Sequence, residues 1–399
     1  MHWIITELYY PEETSTGHFL TQISEGVAVG SEVSVICSQP TYSQRGVKAA
    51  KFETHNGVQI YRCWGGRLNK DFLPFRIINF LTISFSLFIK CLFYFKRGDK
   101  VVVVTNPPLL PLLVTLASKI KGCKTVLLVH DVYPEVLVTA GMLKSGSLIF
   151  RFVHEISKRI YVGVEAIVVI GRDMREIALR KCHDSNKIHV ITNWADLDTV
   201  SPLLRSQNKL LETLGLQQAF VVQYCGNMGR THGLEYLVEC ASLIEDKQVE
   251  FMFMGGGARK AWLIKEINNR ELTNTSVLPR CSRELLSESL NACDLAVISF
   301  MPGMSGISVP SRMYNIMAAG KPILAIADAD SELATVVQEE NIGWVVAPGD
   351  IDSLISVINE AKSDINRLNE MGERARSAVK KKYTLGRVIN SYRDLLDSL

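Results

Sequence analysis

Several chemistries are missing from this sequence. Its nine cysteines (Cys37, Cys63, Cys91, Cys123, Cys182, Cys225, Cys240, Cys281 and Cys293) include no CxxC pair, which excludes a zinc ribbon and a thioredoxin-type motif. Most lie inside apolar runs, the setting of buried free thiols in a reducing compartment. GxGxxG is absent, and with it the dinucleotide fingerprint. GxSxG is absent too, so no serine-hydrolase elbow is expected. Asp328, Asp330 and Glu332 form an acidic loop, but no His or further carboxylate joins them at ligand spacing, so no metal site is expected. No apolar run reaches the roughly 20 residues that a membrane span needs. The longest, FLTISFSLFIKCLFYF at 80–95, has sixteen residues and includes Lys90; it reads as a core or interfacial helix. Met1-His2-Trp3 lacks a basic leader region and HWIITELYY is already strand-like, so no secretion signal is expected.

What is present is globular. The chain has 399 residues, 47% hydrophobic and 21% charged, enough for two domains and too many for one ordinary core. The net charge of +3 hides an asymmetry. From Arg67 to Lys124 there are ten basic residues against Asp71 and Asp99 alone. A nucleic-acid arm would be polar, and this stretch is apolar, so it fits a membrane-facing or buried helix better. No nucleic-acid partner is expected.

Short β-branched runs alternate with helical patterns. Candidate strands lie at 3–6, 32–37, 101–105, 125–129, 166–170 and 188–191, and a second series at 220–225, 250–254, 276–278, 295–299, 323–326 and 343–346. Between them come helices such as 233–244, where Leu234, Leu237, Ala241 and Ile244 recur at helical spacing. Near-continuous apolar strands alternating with helices imply parallel sheets covered on both faces. Two such series predict two Rossmann-like doubly wound α/β domains facing a central cleft, at residues 1–195 and 203–376. The polar segment NWADLDTVSP (193–202) separates them. Residues 377–399 read as a helical tail that could pack back on the first domain.

Ligands of open parallel sheets bind beyond the carboxyl ends of the strands, so those loops carry the candidates. YYPEETSTGHF offers Ser15 or Thr16 as a helix cap with Gly17 at the turn; a plain helix start is the other reading. The strand TVLLVH ends in His130 and runs into Asp131, Tyr133, Pro134 and Glu135, polar and aromatic groups suited to a ligand or, alternatively, to capping the next helix. GNMGRTHG at 226–233 places Arg230 and His232 ahead of a helix amino end, an anion-binding arrangement. SGISVPSRMYNIMAAGKP at 305–322 exposes the amides of Ser305, Gly306, Ile307 and Ser308, with Arg312 and Asn315 on the following helix. It reads as a second amino-terminal anion site, and two such sites suit a diphosphate. The glycines at 255–257 read as a turn.

Together YYPEETSTG, LLVHDVYPE, NWADLDTVSP, GNMGRTHGLE, SRELLSESLNACDLAVI and VPSRMYNIMAAGKP resemble the family 4 retaining glycosyltransferases of GT-B fold, in particular the branch building exopolysaccharide and O-antigen units on lipid carriers. The resemblance implies a UDP-sugar donor held by the C-terminal domain, a lipid-linked saccharide acceptor held by the N-terminal domain, retention of configuration and no metal cofactor. It places the family's glycine loop on Gly17, its donor-sugar histidine on His130, its base-contacting turn near Arg280 and its sugar-holding loop on Ser305–Ser308. Glu135 and Tyr133 become acceptor contacts. The diphosphate-neutralising Arg and Lys of the family fall on Asn227 and His232, and its ribose-holding Glu on Asn315, which leaves Arg230 and Arg312 to supply the phosphate charge. Arg205 would serve as a neutral control. A cytoplasmic enzyme attached peripherally to the inner face of the plasma membrane follows. Two other readings remain at this stage: a non-catalytic paralogue that binds UDP or a partner, and a UDP-sugar epimerase of the same fold.

Overall fold

A computed structural model describes residues 1–40, 48–66, 68 and 73–399. Arg67, Lys70 and Asp71 of the basic stretch lie outside the described residues. The chain divides into two compact units. The first comprises Met1–Thr192, Gly306–Ser308 and Gly386–Leu399; the second comprises Asn193–Ser305 and Val309–Leu385.

The first unit holds β1 (His2–Ile5), β2 (Val33–Ser38), β3 (Phe52–His55), β4 (Val58–Cys63), β5 (Lys100–Val104), β6 (Lys124–Val129), β7 (Ala166–Val169) and β8 (Ile188–Val190). They form one sheet in the order β3-β4-β2-β1-β5-β6-β7-β8. Every pairing is parallel except β3 with β4. β5 (KVVVV) and β6 (KTVLLV) are buried past their first residues, as strands covered by helices on both faces must be. Their register is direct, with Ile4 opposite Val35 on one side and Val102 on the other.

β3 and β4 escape the sequence reading. They form a hairpin closed by Asn56 and Gly57, whose φ values are +46° and +81°, and Asn-Gly between two short strands is a strong hairpin signal. The signal was available, but β3 (FETH) carries three polar residues on an edge and no apolar run.

The second unit holds β9 (Phe220–Asn227), β10 (Val249–Gly256), β11 (Thr275–Leu278), β12 (Leu295–Ser299), β13 (Ile323–Ile326) and β14 (Gly343–Val346), all within two residues of expectation. The order is β11-β10-β9-β12-β13-β14 and all pairings are parallel. Strand order therefore reverses between β9 and β12, and that reversal is where an open α/β sheet offers its ligand crevice. Beneath it Tyr224, Phe251, Phe253, Leu237, Leu263 and Leu324 are packed into one buried core.

The expected boundary at 376 does not coincide with a break. Helix Ile365–Lys382 runs through it, and Ala375, Ala378 and Val379 are buried together on both sides. The last helix, Leu385–Ser398, is built into the first unit: Arg393 Nη2 donates to the Gly26 carbonyl at 2.5 Å.

Candidate functional site

In the second unit the crevice is built on the ends of β9 and β12. β9 runs out through Cys225, Gly226 and Asn227, and β10 beside it through Gly255 and Gly256. These strands touch so closely that a Cβ on Gly255 would lie 1.9 Å from the Gly226 carbonyl oxygen. The glycines thus serve strand contact as well as a turn. The loop then ties back: Met228 N–H donates to the Gly256 carbonyl at 2.8 Å, and Arg259 N–H to the Met228 carbonyl at 2.9 Å.

Gly233, at φ +49°, starts helix Leu234–Leu243 without a side-chain cap. The first amides of this helix therefore have no side-chain acceptor, and a helix amino end of this kind favours an anion. His232 stands just ahead of it, its ring edge-on to Tyr224 at 6.4 Å and tilted against Phe300 at 5.6 Å. Burial, then the nearby Arg312 charge, lower the His232 pKa to about 3, so the ring is neutral at pH 7. Its Nδ1 is buried with no well-formed hydrogen bond, only an approach to the Gly229 backbone.

Arg312 comes from helix Arg312–Ala318. Its guanidinium lies over the Tyr224 ring at 4.5 Å, and Nη1 reaches the Cys225 carbonyl at 3.4 Å. Nη2 is buried and lacks a well-formed partner, with the Tyr224 side chain beside it. A buried, incompletely satisfied guanidinium is costly. Beside an uncapped helix amino end and an unsatisfied imidazole, it marks a place where an anionic acceptor would complete the bonding.

Four expectations need correction here. Helix Arg312–Ala318 has only seven residues, too short for the helix-dipole anion site expected there, and the positive charge at its start is the Arg312 side chain. The loop amides are not bare: Ser305 N–H donates to Asp328 Oδ2 at 3.1 Å, with Gly303 and Met304 on the same carboxylate, and Gly306 N–H donates to Asp173 Oδ2 at 2.9 Å. Asn315 Oδ1 accepts from Asp196 N–H at 2.9 Å, which commits that oxygen to the chain segment after Asn193. Arg205 is no neutral control, because it grips Asp294 at 2.6 and 2.8 Å and donates to the Gln217 and Leu216 carbonyls at 2.9 Å each. Asn227, Arg230 and Arg280 are exposed, and neither Arg230 nor Arg280 has a side-chain partner among the described residues. Ile307 is buried, and its carbonyl accepts from Val132 N–H at 3.0 Å.

In the first unit, Thr14 caps helix Ser15–Ala28, not Ser15 or Thr16; its Oγ1 accepts from Gly17 N–H at 3.2 Å. A Cβ on Gly17 would meet the Glu12 carbonyl at 2.8 Å, so the small residue is required by the turn's own packing. His130 directly follows β6, its N–H donating to Thr105 Oγ1 at 3.2 Å. Its ring has no hydrogen-bond partner among the described residues, and burial holds its pKa near 4. Asp131 forms a bridge with Ser308, and burial raises its pKa while the Ser308 hydroxyl opposes the shift.

Glu135 is not an open carboxylate. Oε2 accepts from Lys181 Nζ at 2.8 Å, and Oε1 lies 3.2 Å from His154 Nδ1. The same Lys181 ammonium donates to the Tyr133 carbonyl at 2.8 Å and to Ser157 Oγ at 3.1 Å. Lys181 was missed, although it shares one helical stripe with Met174, Ala178 and Cys182 on helix Arg172–Cys182. A lysine on an apolar stripe was the available signal.

Both histidines carry a pH consequence. Their unfolded pKa is near 6.5 and their folded values are about 4 and about 3. Between those limits the unfolded chain binds more protons, so stability falls as pH drops below about 6.5. From pH 7 to 5.5 we expect a loss of ~1 kcal/mol per histidine. Urea unfolding of the wild type, His130→Asn and His232→Asn should show each variant flattening this slope; unchanged slopes would contradict the assignment.

Known proteins bear on this geometry. Residues 18–194 match the family described as "Glycosyl transferase 4-like domain", and residues 207–378 that described as "Glycosyl transferases group 1". WbjE of Pseudomonas aeruginosa, named a probable glycosyltransferase, is 34% identical over 322 residues, covering 80% of this chain and 79% of WbjE. WcaI of Escherichia coli strain K12, whose name places it in colanic acid biosynthesis, is 24% identical, covering 88% of this chain and 90% of WcaI. The fold matches Anabaena Alr3699/HepE, crystallised with UDP, at a TM-score of 0.75 and 14% identity with 100% of both chains covered. It also matches sucrose-phosphate synthase of Thermosynechococcus elongatus at 0.78 and 15%, again over 100% of both. The chain therefore belongs to the family 4, group 1 glycosyltransferases, transferases of the GT-B fold.

Proposed function

We propose that the chain transfers a hexosyl group from a UDP-sugar to a lipid-linked saccharide acceptor in polysaccharide biosynthesis, with retention of configuration and without a metal ion. The observation that carries this reading is the Arg312–His232 arrangement: two buried, incompletely bonded nitrogens beside an uncapped helix amino end, at the strand-order reversal. Support comes from HepE, whose structures hold UDP and UDP-glucose, and from the colanic acid name of WcaI.

The chemistry follows from charge. As UDP departs, negative charge grows on its diphosphate, and preorganised donors there lower the barrier. Arg312 and the first amides of helix Leu234–Leu243 supply them. His232, neutral, donates or accepts one hydrogen bond without adding charge. On this reading the acceptor hydroxyl attacks from the face that UDP leaves, and its proton passes to a phosphate oxygen. His130 orients the transferred sugar as a neutral imidazole. Gly17, Asn227, Arg280 and Ser305–Ser308 remain proposed donor contacts, and Tyr133 a proposed acceptor contact.

The test is calorimetry in EDTA followed by an assay of UDP release. UDP should bind about 10²-fold more tightly than uridine, as one or two charge-assisted hydrogen bonds imply, and release from the right UDP-sugar should need acceptor. Equal affinity for uridine, or a requirement for magnesium, would overturn the reading. A paralogue would bind UDP and release none, while an epimerase would alter the sugar with UDP still attached.

The lipid-linked acceptor draws support from helix Leu73–Tyr94. Its residues Pro74–Tyr94 are long and apolar enough to cross a membrane, and only 28% of their most apolar 18-residue window is buried. Ile83, Leu87 and Cys91 pack inward, while Ile77, Leu81, Phe85 and Phe93 face outward. A helix packed along one side with an apolar outer face suits a position in a membrane interface. Exposed Arg76, Lys96, Arg97 and Lys119 add positive charge. Binding to anionic vesicles should fall at least tenfold in Phe85→Asp/Phe93→Asp, since each buried phenyl contributes about 1.5–3 kcal/mol. Unchanged partitioning would leave the helix as a plain surface element.

A further inference from the structure

Seven of the nine cysteines are buried, and the two that are half-buried, Cys225 and Cys281, have their thiols beside each other. Their positions bring them to one edge of the second sheet. Cys225 lies two residues before the end of β9, opposite Met254 of β10, which is itself opposite Leu278 at the end of β11. Cys281 follows three residues later. Both therefore lie at the carboxyl ends of the strands, the edge that carries Arg312, His232 and the loop at 226–233. The Cys225 carbonyl is the acceptor for Arg312 Nη1.

The structure assigns Cys225 and Cys281 as a dithiol modification site, oxidised by a peroxide to an intramolecular disulfide that disturbs the Arg312 pocket. The partition of protons within the pair fits unequal roles. The neighbouring Cys225 thiol holds the Cys281 thiol below its ordinary pKa, and the same contact, then burial, raises that of Cys225. Cys281 is thus the thiolate that attacks and Cys225 the resolving thiol. In the first step the Cys281 sulfur attacks one peroxide oxygen. An S–O bond forms, the O–O bond breaks, and the departing hydroxide takes a proton to give water and a sulfenic acid. In the second step the Cys225 sulfur, losing its proton, attacks the sulfenic sulfur. The S–S bond forms, the S–O bond breaks, and a second water leaves. Two thiols and one hydrogen peroxide thus become one disulfide and two waters.

Closing the bridge must bring the sulfurs to about 2.05 Å. The end of β9 then moves toward Cys281 and displaces the Cys225 carbonyl, the backbone acceptor of Arg312 Nη1. This consequence rests on the nucleotide reading; the disulfide itself does not.

The experiment uses the full chain treated with stoichiometric hydrogen peroxide, then denatured, alkylated and digested. A linked pair of peptides containing Cys225 and Cys281 is expected, reversed by dithiothreitol and absent in Cys281→Ser. UDP affinity, measured before and after, should fall about tenfold on oxidation of the wild type, as loss of one charge-assisted hydrogen bond implies, and stay unchanged in oxidised Cys281→Ser. Absence of the linked peptide, or linkage to other cysteines instead, overturns the assignment. A linked peptide with UDP affinity unmoved overturns the effect on the pocket. If the reduced protein does not bind UDP at all, the nucleotide reading fails while the peptide result still decides the site.

Discussion

Arg312→Ala is expected to lower turnover by about 10²–10³-fold, the usual consequence of removing one preorganised donor to a developing negative charge. Unfolding free energy should change by no more than about 1 kcal/mol. The two expectations rest on the same atom. Nη2 is buried without a well-formed partner, so the folded protein already bears the cost of holding it, and alanine relieves that cost while losing the stacking on Tyr224. A structural arginine would behave in the opposite way. Arg205, bound to Asp294 and two carbonyls, should lose stability on truncation, which is why Lys265, exposed and without a partner among the described residues, is the better control. Arg230→Ala, at an exposed site, should cost less than tenfold. Steady-state kinetics beside urea unfolding on the same four variants separates these outcomes. If Arg312→Ala unfolds readily while its remaining folded fraction turns over normally, Arg312 is scaffold, and the diphosphate must be sought elsewhere.

The ranking of Arg312 over Arg230 could not have come from the sequence. Both stand near a helix start beyond an apolar strand, and one-dimensional spacing gives them equal claims. What separates them is the Tyr224 ring under one guanidinium, a contact between residues 88 positions apart. The parallel strands were legible for the opposite reason. Runs such as VVVV at 101–104 and LAVIS at 295–299 can be buried on both faces only in a covered parallel sheet. The loop at 303–308 shows where local reading fails. Its glycines and serines suggest amides open to an anion, but Asp328 and Asp173 already occupy three consecutive and one further position. Asp328 was visible only as part of an acidic run, and Asp173 only as the second residue of a helix. The outward face of helix Leu73–Tyr94 stands between these cases. Its length was underestimated at the amino end, where Pro74, Arg76 and Asn79 dilute the apolar stretch, although the helix begins at Leu73 and runs through all three.

Lys181→Met should be the most destabilising single substitution in the first unit, at about 3–5 kcal/mol. Lys181 is 2% exposed, and its ammonium contacts the Glu135 carboxylate, the Tyr133 carbonyl and Ser157 Oγ, with the Tyr161 ring 5.3 Å away. Burial lowers its pKa and Glu135 opposes that shift, so the carboxylate offsets part of the cost of burying the ammonium. Methionine preserves most of the volume but leaves Glu135 with a weaker partner in His154 and strips the Tyr133 carbonyl of its donor. The double variant Lys181→Met/Glu135→Gln removes the stranded charge and should recover roughly half of the loss, since neutralising both members of a buried pair costs far less than removing one. A urea double-mutant cycle measures this directly. Loss below about 1 kcal/mol, or simple additivity, would mean that water reaches the pair. The functional consequence is local: Lys181 fixes the backbone between His130 and Glu135, so a folded Lys181→Met protein, assayed over a range of acceptor concentrations at saturating donor, should show raised KM for acceptor with UDP affinity intact. A matched fall in UDP affinity would instead place the damage in the second unit and separate Lys181 from the loop that it is argued to hold.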